Sequence, residues 1–431
     1  MRHRRGRLPA LAAVGLLVSA SALGACAQVG EGRPEPGGVA TTLEAAIREV
    51  EAGRKTTPLV SGPTATGDFT VTFLARSPGG EVPRVVSDAT GWGENAADNT
   101  FDFTVGRMTR VGRTDWYSLE ARIAPRARIE YFVVHGREYR LDPHNPRRAQ
   151  PRAGGPASEF VTPGYQPPEE APDASSVPAG RTAEVTVESA VLGGSRRVIV
   201  YTPPGYRADG TYPLAVFQFG VSLVTSDRDP RASVDPAAPP PIEPDVAPRL
   251  LDQWIAQRVI QPTVVLFVEP HRYGNQLDYD VKAEAVRAFF TRDLLAWAAS
   301  RYGVTRSADQ RALLAVSAGA EAALDAALSS PRAFGRLGLL IPGRRVRPPG
   351  LEALVGPDGG RLQVAILAGQ YDQANLPTAE KLRQALLDGG HAVDYILVAE
   401  GHTGATWRNH VRDVLASLFG TARQSRGADA G

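Results

Sequence analysis

Only one cysteine, Cys26, stands in the whole 431-residue chain. No intrachain disulfide can therefore form, and a metal site would have to be built from histidine and carboxylate alone. Beyond residue 25 no stretch approaches the roughly 20 apolar residues that a membrane-crossing helix needs. An excess of charge is lacking too, since 48 Lys and Arg face 46 Asp and Glu, a net of +2. Four of the arginines, Arg2, Arg4, Arg5 and Arg7, precede Cys26 with no acid among them, so the remainder is close to neutral. Without a clustered basic face, nucleic acid is not an expected partner, and Arg344-Arg345-Val346-Arg347 reads as solvated surface. What is present, 43% hydrophobic and 22% charged residues, describes an ordinary globular protein. The length exceeds what one core usually serves and points to two domains plus tethers.

The first 25 residues have the build of a signal peptide: four arginines, then the apolar run LPALAAVGLLVSASAL. The run ends in Leu23-Gly24-Ala25-Cys26, which resembles a bacterial lipobox. The expectation is cleavage before Cys26, lipidation of its thiol, and a protein exported and held on the cell membrane, on its periplasmic or extracellular face, through that anchor.

Residues 26–63 read as a tether with a short helix in TTLEAAIREVEAG. From Phe69 the pattern becomes short alternating runs, FTVTFLA, RVVSD, FDFTV, WYSLEARI and IEYFVVHG, broken by Gly, Pro, Asn and Asp. Residues 64–166 are accordingly expected to form an all-β sandwich. Asp142-Pro143-His144-Asn145-Pro146 reads first as a tight turn. A Pro- and acid-rich linker, 167–180, precedes a second domain over 181–422. There unbroken apolar runs such as YPLAVFQFG and PTVVLFVEP alternate with helical patterns, which predicts a doubly wound α/β domain around a parallel sheet. One long helix is expected over VKAEAVRAFFTRDLLAWAASRYG. The Pro-rich insertion 227–248 is too long for a usual βα connection and would lie at the carboxyl edge of the sheet.

One stretch bears most directly on chemistry. Leu313-Leu314-Ala315-Val316-Ser317-Ala318-Gly319-Ala320 carries an apolar strand straight into a small-residue helix. A serine at such a bend is lifted above the sheet edge, provided the residues two before and two after it are small, and Ala315 and Gly319 are. The helix N-terminus and the Ala318 amide would favour negative charge beside it. A rival, Ser222, also follows a strand but lacks the second small residue. The turn Gly220-Val221 is expected instead to offer a second backbone donor from Val221. A serine hydroxyl needs a base, and histidine has the suitable pKa. Of seven histidines, His402 lies in Glu400-Gly401-His402-Thr403-Gly404-Ala405-Thr406-Trp407, after the last strand. A carboxylate must orient the imidazole. Asp372, after the strand VAILAG, stands between Ser317 and His402 in the order expected for this constellation, with Glu400 as the alternative.

These features resemble the esterase family that includes enterochelin esterases, feruloyl and acetyl-xylan esterases and mycolyltransferases. In the first half the resemblance rests on Gly91-Trp92, Asp115-Trp116-Tyr117, IEYFVVHGREYRLDPHNP, Ser158-Glu159 and Pro163-Gly164-Tyr165. It is firmest from Tyr212 to Trp407, including Gly401-His402 followed by Trp407, and Pro331 with Phe334-Gly335 after the elbow helix. It implies an α/β-hydrolase domain preceded by a smaller immunoglobulin-like sandwich. It also implies hydrolysis of a siderophore, aryl or acyl ester by Ser317, His402 and Asp372, with no metal or organic cofactor. The chain departs from the family pattern at Ala315 and Ala320, where glycines are usual, and at Phe219-Gly220, where Asp-Gly is. The two alanines motivate a second reading, a catalytically degenerate hydrolase fold that binds a glycan or a partner.

Overall fold

The computed structural model describes residues 38–93, 102–149, 156–173, 175–218, 221–223, 242–244, 246–269, 272–273, 276–344, 346 and 360–421. The leader, Cys26, Gly220, His271 and most of the Pro-rich insertion lie outside them.

Eight strands precede residue 162: β1 Leu59–Ser61, β2 Phe69–Arg76, β3 Arg84–Ser87, β4 Thr109–Arg110, β5 Trp116–Ile123, β6 Arg128–His135, β7 Glu138–Arg140 and β8 Ser158–Val161. They form two antiparallel sheets, β1-β2-β5-β4 and β3-β6-β7, with β8 also on β6. Alternation decides which side chains meet. Val71 and Phe73 of β2, Tyr117 and Leu119 of β5, and Ile129, Tyr131 and Val133 of β6 share one buried apolar cluster between the sheets. The intervening residues of β6, Arg128 and Glu130, are buried on the opposite face. The Asp142 turn is structural: its carboxylate accepts hydrogen bonds from Thr57 Oγ1 at 2.6 Å and Tyr131 OH at 2.7 Å.

Two local expectations need correction. Residues 102–105 of FDFTV, the described part, form no strand, because Asp102 Oδ1 accepts from both the backbone N–H and the hydroxyl of Thr104, which closes a turn. Within 26–63 the chain does more than span distance. The helix Gly38–Glu51 packs Ile47 and Val50 against Leu74, Val111 and Trp116, and Glu51 Oε1 accepts from Trp116 Nε1 at 2.9 Å.

The second half adds β9 Arg181–Ser189, β10 Gly194–Thr202, β11 Leu214–Gln218, β12 Val221–Leu223, β13 Ile242–Pro244, β14 Val264–Val268, β15 Arg272–Tyr273, β16 Gln276–Leu277, β17 Arg311–Val316, β18 Arg336–Leu340, β19 Gln363–Gly369 and β20 Ala392–Val398. Eight of these build one sheet in the order β20-β19-β18-β17-β11-β14-β10-β9. From β14 to β20 every neighbouring pair is parallel, and β9 and β10 are antiparallel. Both faces are covered, so side chains alternate between two cores: Leu214 and Val216 enter one, Ala215 and Phe217 the other. The long helix is interrupted by a π-helical turn at Phe289–Asp293, between Asp278–Ala288 and Leu294–Arg301. From β11 the chain moves to β14 on one side and then to β17 on the other. The order therefore reverses between β11 and β17, and the carboxyl ends of strands at such a reversal are where doubly wound sheets bind ligands.

Candidate active site

Ser317 follows β17 at that reversal point. Its backbone φ is +50°, in the left-handed region that β-carbon-bearing residues avoid. A helical turn, Ser317–Gly319, leads directly into the helix Ala320–Ser329. The bend lifts the hydroxyl off the strand line and aims the first amides of the helix toward it. Ala315 and Ala320 are both fully buried in the main apolar cluster, so their methyls fill core space on the far side of the bend.

Asp372 and His402 come from the loops after β19 and β20. Ser317 Oγ lies 2.8 Å from His402 Nε2, and His402 Nδ1 lies 2.6 Å from Asp372 Oδ2. Asp372 is 5% exposed, whereas the imidazole is open to solvent on one side. A carboxylate on Nδ1 holds that nitrogen protonated and leaves Nε2 as the acceptor facing the hydroxyl. The three residues chosen on separate local grounds thus converge. The alternative carboxylate, Glu400, does not join them. Ser222 is paired with Glu243 in the β12–β13 hairpin, and Glu400 turns to His410 Nε2 at 2.8 Å and Arg128 Nη1 at 3.7 Å. Val221 opens that hairpin three residues past the end of β11.

Three contributors gave no sequence signal. Asn375 Nδ2 donates to Asp372 Oδ1 at 2.5 Å, while its Oδ1 accepts from the Arg344 backbone N–H at 2.7 Å. It stands at the start of the helix Leu376–Asp388, where an asparagine would ordinarily cap, but its side chain makes no cap bond and serves the carboxylate instead. Gly343 donates its N–H to the Ser317 carbonyl at 3.1 Å, and a β-carbon there would stand 3.6 Å from Ser317 Oγ and 3.4 Å from Ala318 N. Its lack of a side chain leaves room above the hydroxyl. Asp88, from the sandwich, lies so close to Gly401 that a β-carbon on Gly401 would meet its Oδ1 at 2.0 Å. Nothing local in the sequence joins positions 88 and 401.

His410, behind the histidine loop, is pushed up to about 9: burial opposes the cation, and Asp413 and Glu400 outweigh it. Among the described residues no group of three His, Cys, Asp or Glu side chains could hold a metal ion, and no helix is long and apolar enough to cross a membrane.

Residues 189–347 match the family described as Putative esterase. That segment contains β10 to β18 and Ser317, but ends before Asp372 and His402. No curated protein matches the chain significantly. Among solved structures, the ferric enterobactin esterase of Salmonella typhimurium is similar over 87% of this chain and 98% of its own, with 20% identity and a TM-score of 0.61. The enterobactin esterase of Shigella flexneri, solved in the presence of 2,3-dihydroxy-N-benzoyl-serine, is similar over 86% and 98%, with 20% identity and a TM-score of 0.56. The chain therefore has the mixed α/β fold of the enterobactin esterases across both halves.

Proposed function

We propose that the protein is a serine hydrolase of carboxylic esters, with Ser317 as nucleophile, His402 as general base and acid, and Asp372 as the carboxylate that orients it. The observation that carries this reading is the unbroken line from Ser317 Oγ through His402 to Asp372, with contacts of 2.8 and 2.6 Å. Ser317 Oγ attacks the ester carbonyl as its proton passes to His402 Nε2. The Ala318 N–H, at the helix start, and the Val221 N–H receive the oxyanion. Collapse expels the alcohol, which takes the proton from His402, and leaves an acyl group on Ser317. A water then gives its proton to Nε2, attacks that acyl carbon, and releases the acid and the free hydroxyl. Asp372 balances the imidazolium in both halves and stays ionised.

In this reading residues 181–422 are the α/β-hydrolase domain and 64–166 an immunoglobulin-like sandwich. The Putative esterase match and the enterobactin-esterase fold favour a siderophore-type, aryl or acyl ester as substrate. Export and lipidation at Cys26 belong to the same proposal, supported by the leader sequence; metabolic labelling with a fatty acid, lost in Cys26→Ser, tests them. The hydrolase reading is tested with p-nitrophenyl acetate and protein lacking residues 1–25. Ser317→Ala is expected to lower kcat by about three orders of magnitude or more with an unchanged unfolding midpoint. Equal rates in the two proteins would remove the hydrolase assignment.

A further inference from the structure

The loops that carry Asp372 and His402 are both bonded to the sandwich. In the acid loop, Tyr371 enters the sandwich core, and its hydroxyl accepts from the Ala124 backbone N–H at 2.7 Å. Gln373 Nε2 donates to the Ala89 carbonyl at 2.8 Å. Asp372 thus sits between two residues that both bond to the sandwich. In the base loop, Arg128 donates its backbone N–H to the Ala399 carbonyl at 3.1 Å, and its guanidinium faces Glu400. The fully buried Asp88 carboxyl rests against Gly401, next to His402. Asp88 is itself fixed, since Oδ1 accepts from Trp92 Nε1 at 3.0 Å and Oδ2 from the Glu130 N–H at 2.8 Å. Ser317, by contrast, is held by the sheet, the elbow helix and Gly343.

We infer that the sandwich is a positioning element for the reaction: Asp88 and the Tyr371 hydroxyl set where His402 and Asp372 stand relative to Ser317, although neither touches substrate. The inference rests on the hydrolase reading for its consequence in catalysis, but the positioning itself is measurable without turnover. A carboxyl at the centre of a sheet-to-loop contact costs desolvation, and an apolar side chain would close the same contact without it. What a carboxyl adds is direction, because its two oxygens are each locked to a sandwich donor and present a fixed surface to one residue of the base loop.

The test uses the full mature chain with Asp88→Asn and Tyr371→Phe, and Arg76→Ala on the distant sheet as control. The imidazole 15N shifts of His402, assigned by their loss in His402→Gln, report its tautomer and its bond to Asp372 with no substrate present. Asp88→Asn turns an N–H toward one of two donors. It is expected to move those shifts and to lower kcat for p-nitrophenyl acetate by about tenfold or more, with KM within about twofold. Tyr371→Phe is expected to act in the same direction while the ring keeps the core filled, so it decides the matter if Asp88→Asn does not fold. Folded variants with wild-type shifts and wild-type kcat would overturn the inference. Shifts that move in a protein whose hydrolysis is indifferent to Ser317→Ala would uphold the positioning and remove the hydrolase reading alone.

Discussion

Gly401→Ala offers the sharpest geometric test of the site. The added methyl would lie 2.0 Å from Asp88 Oδ1 and 2.3 Å from its Cγ, whereas ordinary contact begins at 3.4 Å. About 1.4 Å must be found, and packed interiors yield little of it freely. Asp88 cannot swing aside without giving up the Trp92 and Glu130 hydrogen bonds. The loop is tied by Arg128 N–H to the Ala399 carbonyl, Tyr371 N–H to the Glu400 carbonyl, and Thr406 Oγ1 to the Gly401 carbonyl. Displacing His402 by about 1 Å from the 2.8 Å contact with Ser317 Oγ corresponds to roughly a hundredfold in rate. Overpacking adds about 1–3 kcal/mol of destabilisation. Steady-state hydrolysis of p-nitrophenyl acetate and urea unfolding measure the two effects. Gly194→Ala, where a β-carbon meets nothing within 4 Å, serves as the control. A Gly401→Ala protein with wild-type kcat would show that the contact does not govern the imidazole.

Arg128→Met takes the cation from Glu130, 1% exposed, and from Glu159, and leaves Glu400 with His410 alone; the expected loss is about 3–5 kcal/mol in urea unfolding, and adding Glu130→Gln should recover part of it. A loss below about 1 kcal/mol would mean that the cluster is not held by charge. His410 has a folded pKa of about 9 against an unfolded value near 6.5, so the native state binds its proton more tightly. Its contribution, on the order of 3 kcal/mol, is complete below pH 6.5 and is lost as pH rises through 9. Denaturation at a series of pH values should show that decline, and His410→Asn should flatten it.

Much of the architecture was legible because it repeats a simple signal. VAILAG, LLAV and VVLF are short continuous apolar runs, as strands covered on both faces are. Ser317 was legible for a related reason, since a tight bend forces small neighbours that can be counted along the chain. Asp372 and His402 could be chosen by chain order and by the loops they occupy. Asn375 and Asp88 could not. Their roles depend on partners reached across the fold, at Arg344 and Gly401, and each alone reads as an ordinary cap or turn residue. The FDFTV strand was misread because alternation took no account of Asp102, whose side chain competes for the backbone.

The serine leaves a central strand of the large sheet, while the imidazole hangs from β20 at its outermost margin. On the proposed hydrolase reading, the support of the nucleophile is internal to the second half, whereas the acid and base loops also lean on the first. A disturbance of the sandwich is therefore expected to reach the imidazole before it reaches the hydroxyl.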